Sequence, residues 1–426
     1  MRVACIGNMN NMLFSLVRYL RDRGVDADLL YQPELPHFHP SHDTFDLSYR
    51  NYTRIVDWPE LLAADPSDIA KDLAPYDFLI VTGIFLAHVH QAKRRADVFF
   101  PHGSDLVKWP FFRDTLRWDQ RVRRRDLIAF FDSHRAGISD SLVINQESGS
   151  SEWRSALERL GVLDRTVYFG SPMIYIPLYS EHDLSGLRQR SAWHREFARV
   201  RENSQLMVMN HNCQEWTGRS DRTKGVDRLI RGFAQVVKRR PDLRAVLVMF
   251  EVGSDVGASK RLVRDLGIEA NVEWFPLMPR KEVMLGLLEA DIGCGGIDTG
   301  AIGGGTTWEV LAAGRPLLHY IDTAAVNLSP FTEVYPGINV KEPEDIAAAL
   351  EDAAQDPSAY ARLGEQGRRW FTTNMVGRSV DTYLALIDAK NRGQDLLSVA
   401  KEVVASRNAQ RTATVPGGAM AGTHRS

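Results

Sequence analysis

Residues 291–316 read DIGCGGIDTGAIGGGTTWEVLAAGRP. The stretch follows a helical pattern, MLGLLEA at 284–290, runs through a short apolar strand-like segment and crosses a glycine-rich loop into a second helix at about Thr306. Strand, glycine loop and helix form the repeating unit of a doubly wound α/β fold. Gly303, Gly304 and Gly305 can take positive φ and expose successive backbone N–H groups. Together with the unpaired amides of a helix beginning at Thr306 or Thr307, they make a concavity suited to phosphate. Glu309 then falls in or near the first turn of that helix. A carboxylate is a poor phosphate ligand but a good acceptor for two vicinal hydroxyls, and a sugar nucleotide carries both groups close together. The same loop also serves a fold that only needs to turn a tight corner.

The alternation extends in both directions. Strands are expected at 205–210, 244–250, 272–274 and 291–294, with helices at 226–238, 260–266 and 280–289 between them. At the start of the chain, a buried strand at Arg2 to Ile6, a loop at Gly7 to Asn11, a helix at Met12 to Arg23 and a strand at Ala27 to Tyr31 make a βαβ opening. Further strands are read at 77–81 and 96–100, in ISDSLVINQ and in VYFGSPMIY, with helical segments at 112–133 and 151–160. The fold class is therefore α/β, with two Rossmann-like domains, 1–180 and 200–370, facing a deep cleft. Helices are expected at 343–355 and 360–372, then a helix over 371–392 that crosses back to the first domain. The tail from 408 to 426, rich in Gly, Pro, Ala, Thr and Ser, is expected to be disordered.

A chain of 426 residues exceeds what one core usually accommodates, which agrees with two domains. The formal charge of -2 gives no long-range attraction to nucleic acid or acidic lipid. Cys5, Cys213 and Cys294 lie far apart with no ligand spacing, so a reduced, cytoplasmic, disulfide-free protein is expected. The sequence holds no apolar run of the length that spans a membrane. It also holds no evident basic amphipathic helix to lie on one, which disfavours a lipid acceptor. RVRRRD reads as a solvated flank. His37, His39 and His42, like His88 and His90, lack the companions of a metal site and read as loop polarity.

Three segments carry a resemblance to a known family. HNCQEWTGRSDRTKGVDRLIRGF resembles the loop and helix in which retaining glycosyltransferases place an arginine and, five residues on, a lysine-glycine pair. FPLMPRKEVMLGLLEADIGCG with GGGTTWEVLAAGRPLL resembles their donor-binding segment, and VFFPHGSDL their N-domain histidine segment. The family is glycosyltransferase family 4, of the two-Rossmann-domain architecture called GT-B, and the likeness covers residues 1 to about 390. It implies that Arg219 and Lys224 contact the donor diphosphate, that Glu309 holds the nucleotide ribose, and that His102 faces the donor sugar across the cleft. The family's other glutamate falls at Ala301, and Asp298 is a candidate to replace it from the same loop. The resemblance further implies front-face attack by an acceptor hydroxyl without a covalent intermediate, a nucleotide-diphosphate sugar as donor substrate, and neither metal nor cofactor.

On the acceptor side, Gly7, Asn10 and Asn11 offer a polar loop suited to a soluble, hydroxylated acceptor, and Asp105 is a candidate to hold the second nitrogen of His102. Thr306 and Thr307 serve first as helix-start residues and second as candidate phosphate ligands, and Trp308 reads as core first and as a border to the nucleotide base second. Two other readings stay open: a sugar-nucleotide epimerase of the same architecture, which would need carboxylates such as Asp43 or Asp105 facing the sugar, and a non-catalytic nucleotide-binding protein. GNMNNM lacks the glycine spacing of a dinucleotide site.

Overall fold

The computed structural model describes residues 1–33, 38–59, 61, 65–146, 151–179, 184–218, 223–324 and 333–414, with side chains described to residue 407. Its first sheet comprises β1 (Arg2–Ile6), β2 (Asp26–Tyr31), β3 (Thr53–Ile55), β4 (Phe78–Thr82), β5 (Val98–Phe100) and β6 (Val143–Ile144), all parallel, in the order 3-2-1-4-5-6. The second comprises β7 (Leu206–Asn210), β8 (Ala245–Phe250), β9 (Val272–Phe275), β10 (Ile292–Cys294), β11 (Leu317–His319) and β12 (Ile338–Asn339), parallel in the order 12-11-10-7-8-9. The inner strands are near-continuous apolar runs because helices cover both faces of each sheet. In both sheets the strand order reverses beside the first strand, between β1 and β4 and between β7 and β10. Loops at those carboxyl ends splay apart, and ligands of open α/β sheets gather there. Two Rossmann-like domains of this kind constitute a GT-B fold.

Several segments depart from the sequence reading. VYFGSPMIY passes the sheet without forming a strand: an isolated bridge pairs Ile144 with Thr166 just before it, the Val167 amide donates to the Ile144 carbonyl, and the Asn145 side chain bonds the backbone of Phe169 and Gly170. The helix Arg125–Asp140 absorbs the start of ISDSLVINQ and leaves only two residues for β6. Helices Leu184–Arg190 and His194–Glu202 escape the sequence reading because they bury only Leu187 in the first and Phe197 and Val200 in the second. The short helix Trp118–Arg123 leaves Trp118 80% and Val122 62% exposed, one turn apart among Arg117, Arg121 and Arg123. It is thus a basic helix with an apolar tip, where the sequence suggested only a solvated flank.

After the helix Pro357–Phe371, a π turn at Thr372–Gly377 leads into the helix Arg378–Asn391. Tyr383, Leu386 and Ile387 of that helix pack with Val3, Phe14, Phe78 and Phe169, inside the core of the first sheet. Lys390 Nζ bonds both carboxylate oxygens of buried Asp97, at 2.6 and 2.7 Å. A further helix, Leu396–Thr414, adds Leu396 and Ala400 to the same core and continues into the segment expected to be disordered from 408; residues 415–426 lie outside the described residues.

Candidate active site

The glycine loop sits at the β10 end of the second switch point. Gly303 and Gly304 have φ of +89° and +116°, values an L side chain rarely adopts. A Cβ on Gly303 would also strike Trp308, which stacks against Trp370 in the core. The helix that follows is Gly305–Ala312, starting one residue earlier than the sequence suggested, so Glu309 lies just beyond its first turn. The amides of Gly304, Gly305 and Thr306 have no acceptor among the described residues. They form an open donor cluster at a helix N-terminus, where the helix dipole also favours an anion.

Neighbouring loops fix this cluster in place. Asn212, just beyond β7, donates to the carbonyls of Cys294 and Gly295 and accepts from Thr306 Oγ1 at 2.8 Å. The hydroxyl of Thr306 is thereby committed to the scaffold and leaves only its amide for a ligand. The carbonyl of Lys224 accepts from the Ile297 amide at 3.0 Å, which lays the β7–helix loop against the glycine loop. Lys224 is close enough to act electrostatically on His319, whose Nε2 bonds the Ala301 carbonyl at 3.1 Å. No carboxylate among the described residues pairs with the Lys224 ammonium. Arg219 lies outside the described residues. Asp298 is engaged elsewhere: its carboxylate bonds Thr223 Oγ1 and pairs with Arg228 at 3.2 Å, so the structure does not offer it as a free replacement for the glutamate absent at Ala301.

Glu309 is the centre of a buried ionic cluster that sequence reasoning did not find. Arg280 Nε reaches it at 2.6 Å and His211 Nε2 at 2.8 Å. Arg280 Nη1 also bonds Asp43 at 2.8 Å and the Asn10 carbonyl at 2.8 Å, both from the first domain. The side chains of Arg280, Asp43 and Glu309 are 14%, 6% and 11% exposed. Burial pushes the Glu309 carboxyl up, but the Arg280 charge and the His211 bond outweigh it and hold the group below its ordinary range. Asp43 moves the other way, because burial, helped by the Glu309 charge, outweighs the pull of Arg280 and Arg18. Around this cluster lies a cavity of about 270 Å³, closed by Phe250, Leu277 and Met278 and reaching Gly305 and Thr306. Each carboxylate oxygen of Glu309 has one protein donor and therefore keeps a lone pair for a ligand hydroxyl.

Across the cleft, the first switch point carries a second cavity, of about 370 Å³, at the ends of β1, β2, β4 and β5. His102 lines it, and its Nε2 is sealed from solvent without a hydrogen-bond partner. Burial lowers the His102 pKa to about 4, so the imidazole is neutral at ordinary pH. Asp105 does not hold that ring. Its carboxylate accepts from the amides of His102 and Gly103 at 2.7–3.1 Å and so shapes the turn after β5, while burial raises its pKa to about 6. Gly7 ends β1 at φ +86° with Thr82 and Phe85 too close for any Cβ. Asn11 is buried, accepting from Asn8 at 2.6 Å and donating to the His39 carbonyl, and Asn10 meets the second domain through its carbonyl. Asn8 and Asn11 thus spend their amides on the loop's own architecture, while the exposed side chain of Asn10 lines the cavity beside Glu309. His39 caps the turn Pro40–His42; His37 lies outside the described residues, and among those described no group of three His, Cys, Asp or Glu could hold a metal ion.

Comparisons with known proteins bear on the second domain and on the fold. Residues 216–370 match the family model described as glycosyl transferases group 1. This segment holds Lys224, Arg280, the glycine loop and Glu309. No curated protein matches the chain. Among solved structures, sucrose-phosphate synthase from Thermosynechococcus elongatus is 14% identical, with a TM-score of 0.53 over 92% of this chain and 100% of that one. The N-terminal domain of Candida albicans trehalose-6-phosphate phosphatase is 15% identical, with a TM-score of 0.53 over 93% and 97%. UDP-GlcNAc 2-epimerase from Neisseria meningitidis, bound to UDP-GlcNAc, is 12% identical, with a TM-score of 0.51 over 90% and 98%. At such identities the likeness is one of fold.

Proposed function

We propose that the protein is a retaining glycosyltransferase that moves a sugar from a nucleotide-diphosphate sugar to a hydroxylated acceptor. The observation that carries this reading is the open cluster of amides at Gly304, Gly305 and Thr306, with the Lys224 loop laid against it inside the segment matching glycosyl transferases group 1. The nucleoside would occupy the 270 Å³ cavity, its ribose hydroxyls donating to the spare lone pairs of Glu309. The diphosphate would lie over the glycine loop and the sugar would point across the cleft toward His102.

In the reaction the bond from the anomeric carbon to the diphosphate breaks while the acceptor oxygen forms a new bond on the same face, and the acceptor proton leaves with the diphosphate. Negative charge grows on the leaving group. Donors fixed at that point stabilise the transition state more than the bound substrate, which is what accelerates the step. In this reading Lys224 and Arg219 supply the cationic charge.

The same fold carries both a synthase and an epimerase in the solved structures, so fold alone does not choose the reaction. Epimerisation calls for carboxylates facing the sugar from the first domain. Asp43 is committed to Arg280 and Asp105 to backbone amides, which favours transfer. The test is Lys224→Ala at saturating donor: turnover should fall at least about tenfold, the loss of one transition-state contact worth roughly 2–4 kcal/mol, with an unchanged melting temperature. Proton NMR of the product should show the donor's anomeric configuration. Wild-type turnover in the variant, or a C2-inverted sugar nucleotide as product, would overturn the proposal.

A further inference from the structure

The cavity in the first domain is larger than the one beside Glu309, and its polar side chains are nearly all spent on the protein itself. Asn8 donates to Asn11 and to the Phe38 carbonyl. Thr82 donates to the Phe100 carbonyl at 2.7 Å, Tyr31 pairs with His39 at 3.3 Å, and Gln32 donates to the Trp58 carbonyl. Both oxygens of Asp105 take backbone amides. What remains to meet a ligand is the apolar surface of Met9, Phe38, Ile84, Phe85 and Trp109, with the Ser104 hydroxyl and the partly exposed ring of His102 as its polar points.

A sugar placed there would bury several hydroxyls against hydrocarbon, each unsatisfied group costing about 1–3 kcal/mol. An apolar body with a single hydroxyl avoids that cost. It can lay its flat faces on the aromatic side chains and leave the hydroxyl for the imidazole. Size points the same way: an apolar cavity of about 150 Å³ accommodates benzene, so 370 Å³ suits roughly a two-ring body.

We propose that this cavity binds acceptors made of a ring-bearing apolar body with one hydroxyl, oriented by a hydrogen bond to His102. The fate of that hydroxyl as sugar acceptor rests on the transferase reading; the binding itself does not. Neutral His102 can accept the hydroxyl proton's hydrogen bond across the ordinary pH range, since burial keeps the ring unprotonated.

The experiment titrates the full-length protein with 2-naphthol and, separately, with methyl glucoside, by calorimetry and without donor. Naphthol should bind at least tenfold more tightly. Ile84→Trp, which fills the cavity, should weaken naphthol binding tenfold or more while leaving uridine diphosphate binding unchanged; if that variant does not fold, Ser104→Phe obstructs the same space. Equal affinity for the two probes, or naphthol binding indifferent to the filled cavity, would overturn the inference. A separate arm supplies a nucleotide-sugar donor. Naphthol bound in the cavity but no sugar transferred from any donor upholds the cavity and removes the transferase reading. Transfer to hydrophilic acceptors that Ile84→Trp does not affect upholds the transferase reading and removes the cavity.

Discussion

Arg280 is one residue serving two domains. It begins the helix Arg280–Glu289, so its guanidinium emerges at the cleft, where it donates to Glu309 on one side and to Asp43 on the other. Burial works against every charge in the cluster, and the arrangement is stable only because each partner is present. Removing one should therefore cost more than the pair is worth. Arg280→Ala is expected to lower unfolding free energy by about 3–5 kcal/mol, the usual cost of stranding buried charge. A double-mutant cycle with Asp43→Asn, read from urea denaturation, should give a coupling energy above about 1 kcal/mol, and additive effects would refute a direct interaction. The sequence offered Arg280 in plain view within FPLMPRKEV, yet no spacing rule links it to Asp43, which is 237 residues away. Glu309 and the glycine loop were legible because their geometry is local to one strand-loop-helix unit. The partners of Glu309, the true role of Asp105 and the commitment of Asp298 to Arg228 are tertiary facts, invisible to periodicity.

At the scale of elements, the strands and helices that sequence patterning located are those with strong local signals. The helix Arg280–Glu289 and the helix Pro343–Gln355 are bounded as expected, and most strands agree within a residue or two. VYFGSPMIY has the composition of a strand, but β6 beside it offers only two residues for pairing. Composition could not reveal that the sheet ends there. The helix Arg378–Asn391 illustrates how an element is held by one buried contact. Asp97 is almost wholly buried at the start of β5; burial pushes its carboxyl up while Lys390 pulls it down. Lys390→Ala should destabilise the protein by about 3 kcal/mol, because Asp97 would keep only the Leu79 amide as partner. The deficit should shrink as pH falls, because burial raises the Asp97 carboxyl and the group takes up a proton sooner than a free carboxylate. Equal deficits at pH 4 and pH 8 in chemical denaturation would contradict this account.

For the whole molecule, buried histidines set the response to acid. Burial lowers His88, His102, His134 and His319 from 6.5 to about 4. Between those values the unfolded chain binds protons that the folded chain refuses, so stability falls as pH drops from about 6.5 toward 4. Asp105, raised from 3.8 to about 6, acts oppositely over the same window, and Asp43 and Asp97 share its direction. Four histidines with shifts of similar size outweigh it. The melting temperature should therefore be lower at pH 5 than at pH 7 in scanning calorimetry, and an equal or higher value at pH 5 would count against neutral, buried rings.

The return of the last helices to the first sheet has a consequence for how the chain is made. Tyr383, Leu386, Ile387, Leu396 and Ala400 belong to the same core as Val3, Phe14 and Phe78. The first sheet thus leaves the ribosome before the second and yet obtains its complete interior after it. Roughly 200 residues separate the end of the first domain from Tyr383, and at about 5–20 residues per second the wait is roughly 10–40 s. During that interval the apolar surface that Tyr383 and its neighbours will cover is open to other macromolecules, while the second domain, whose sheet lies wholly within the intervening chain, can already close. Synthesis order and completion order therefore run in opposite directions along this polypeptide.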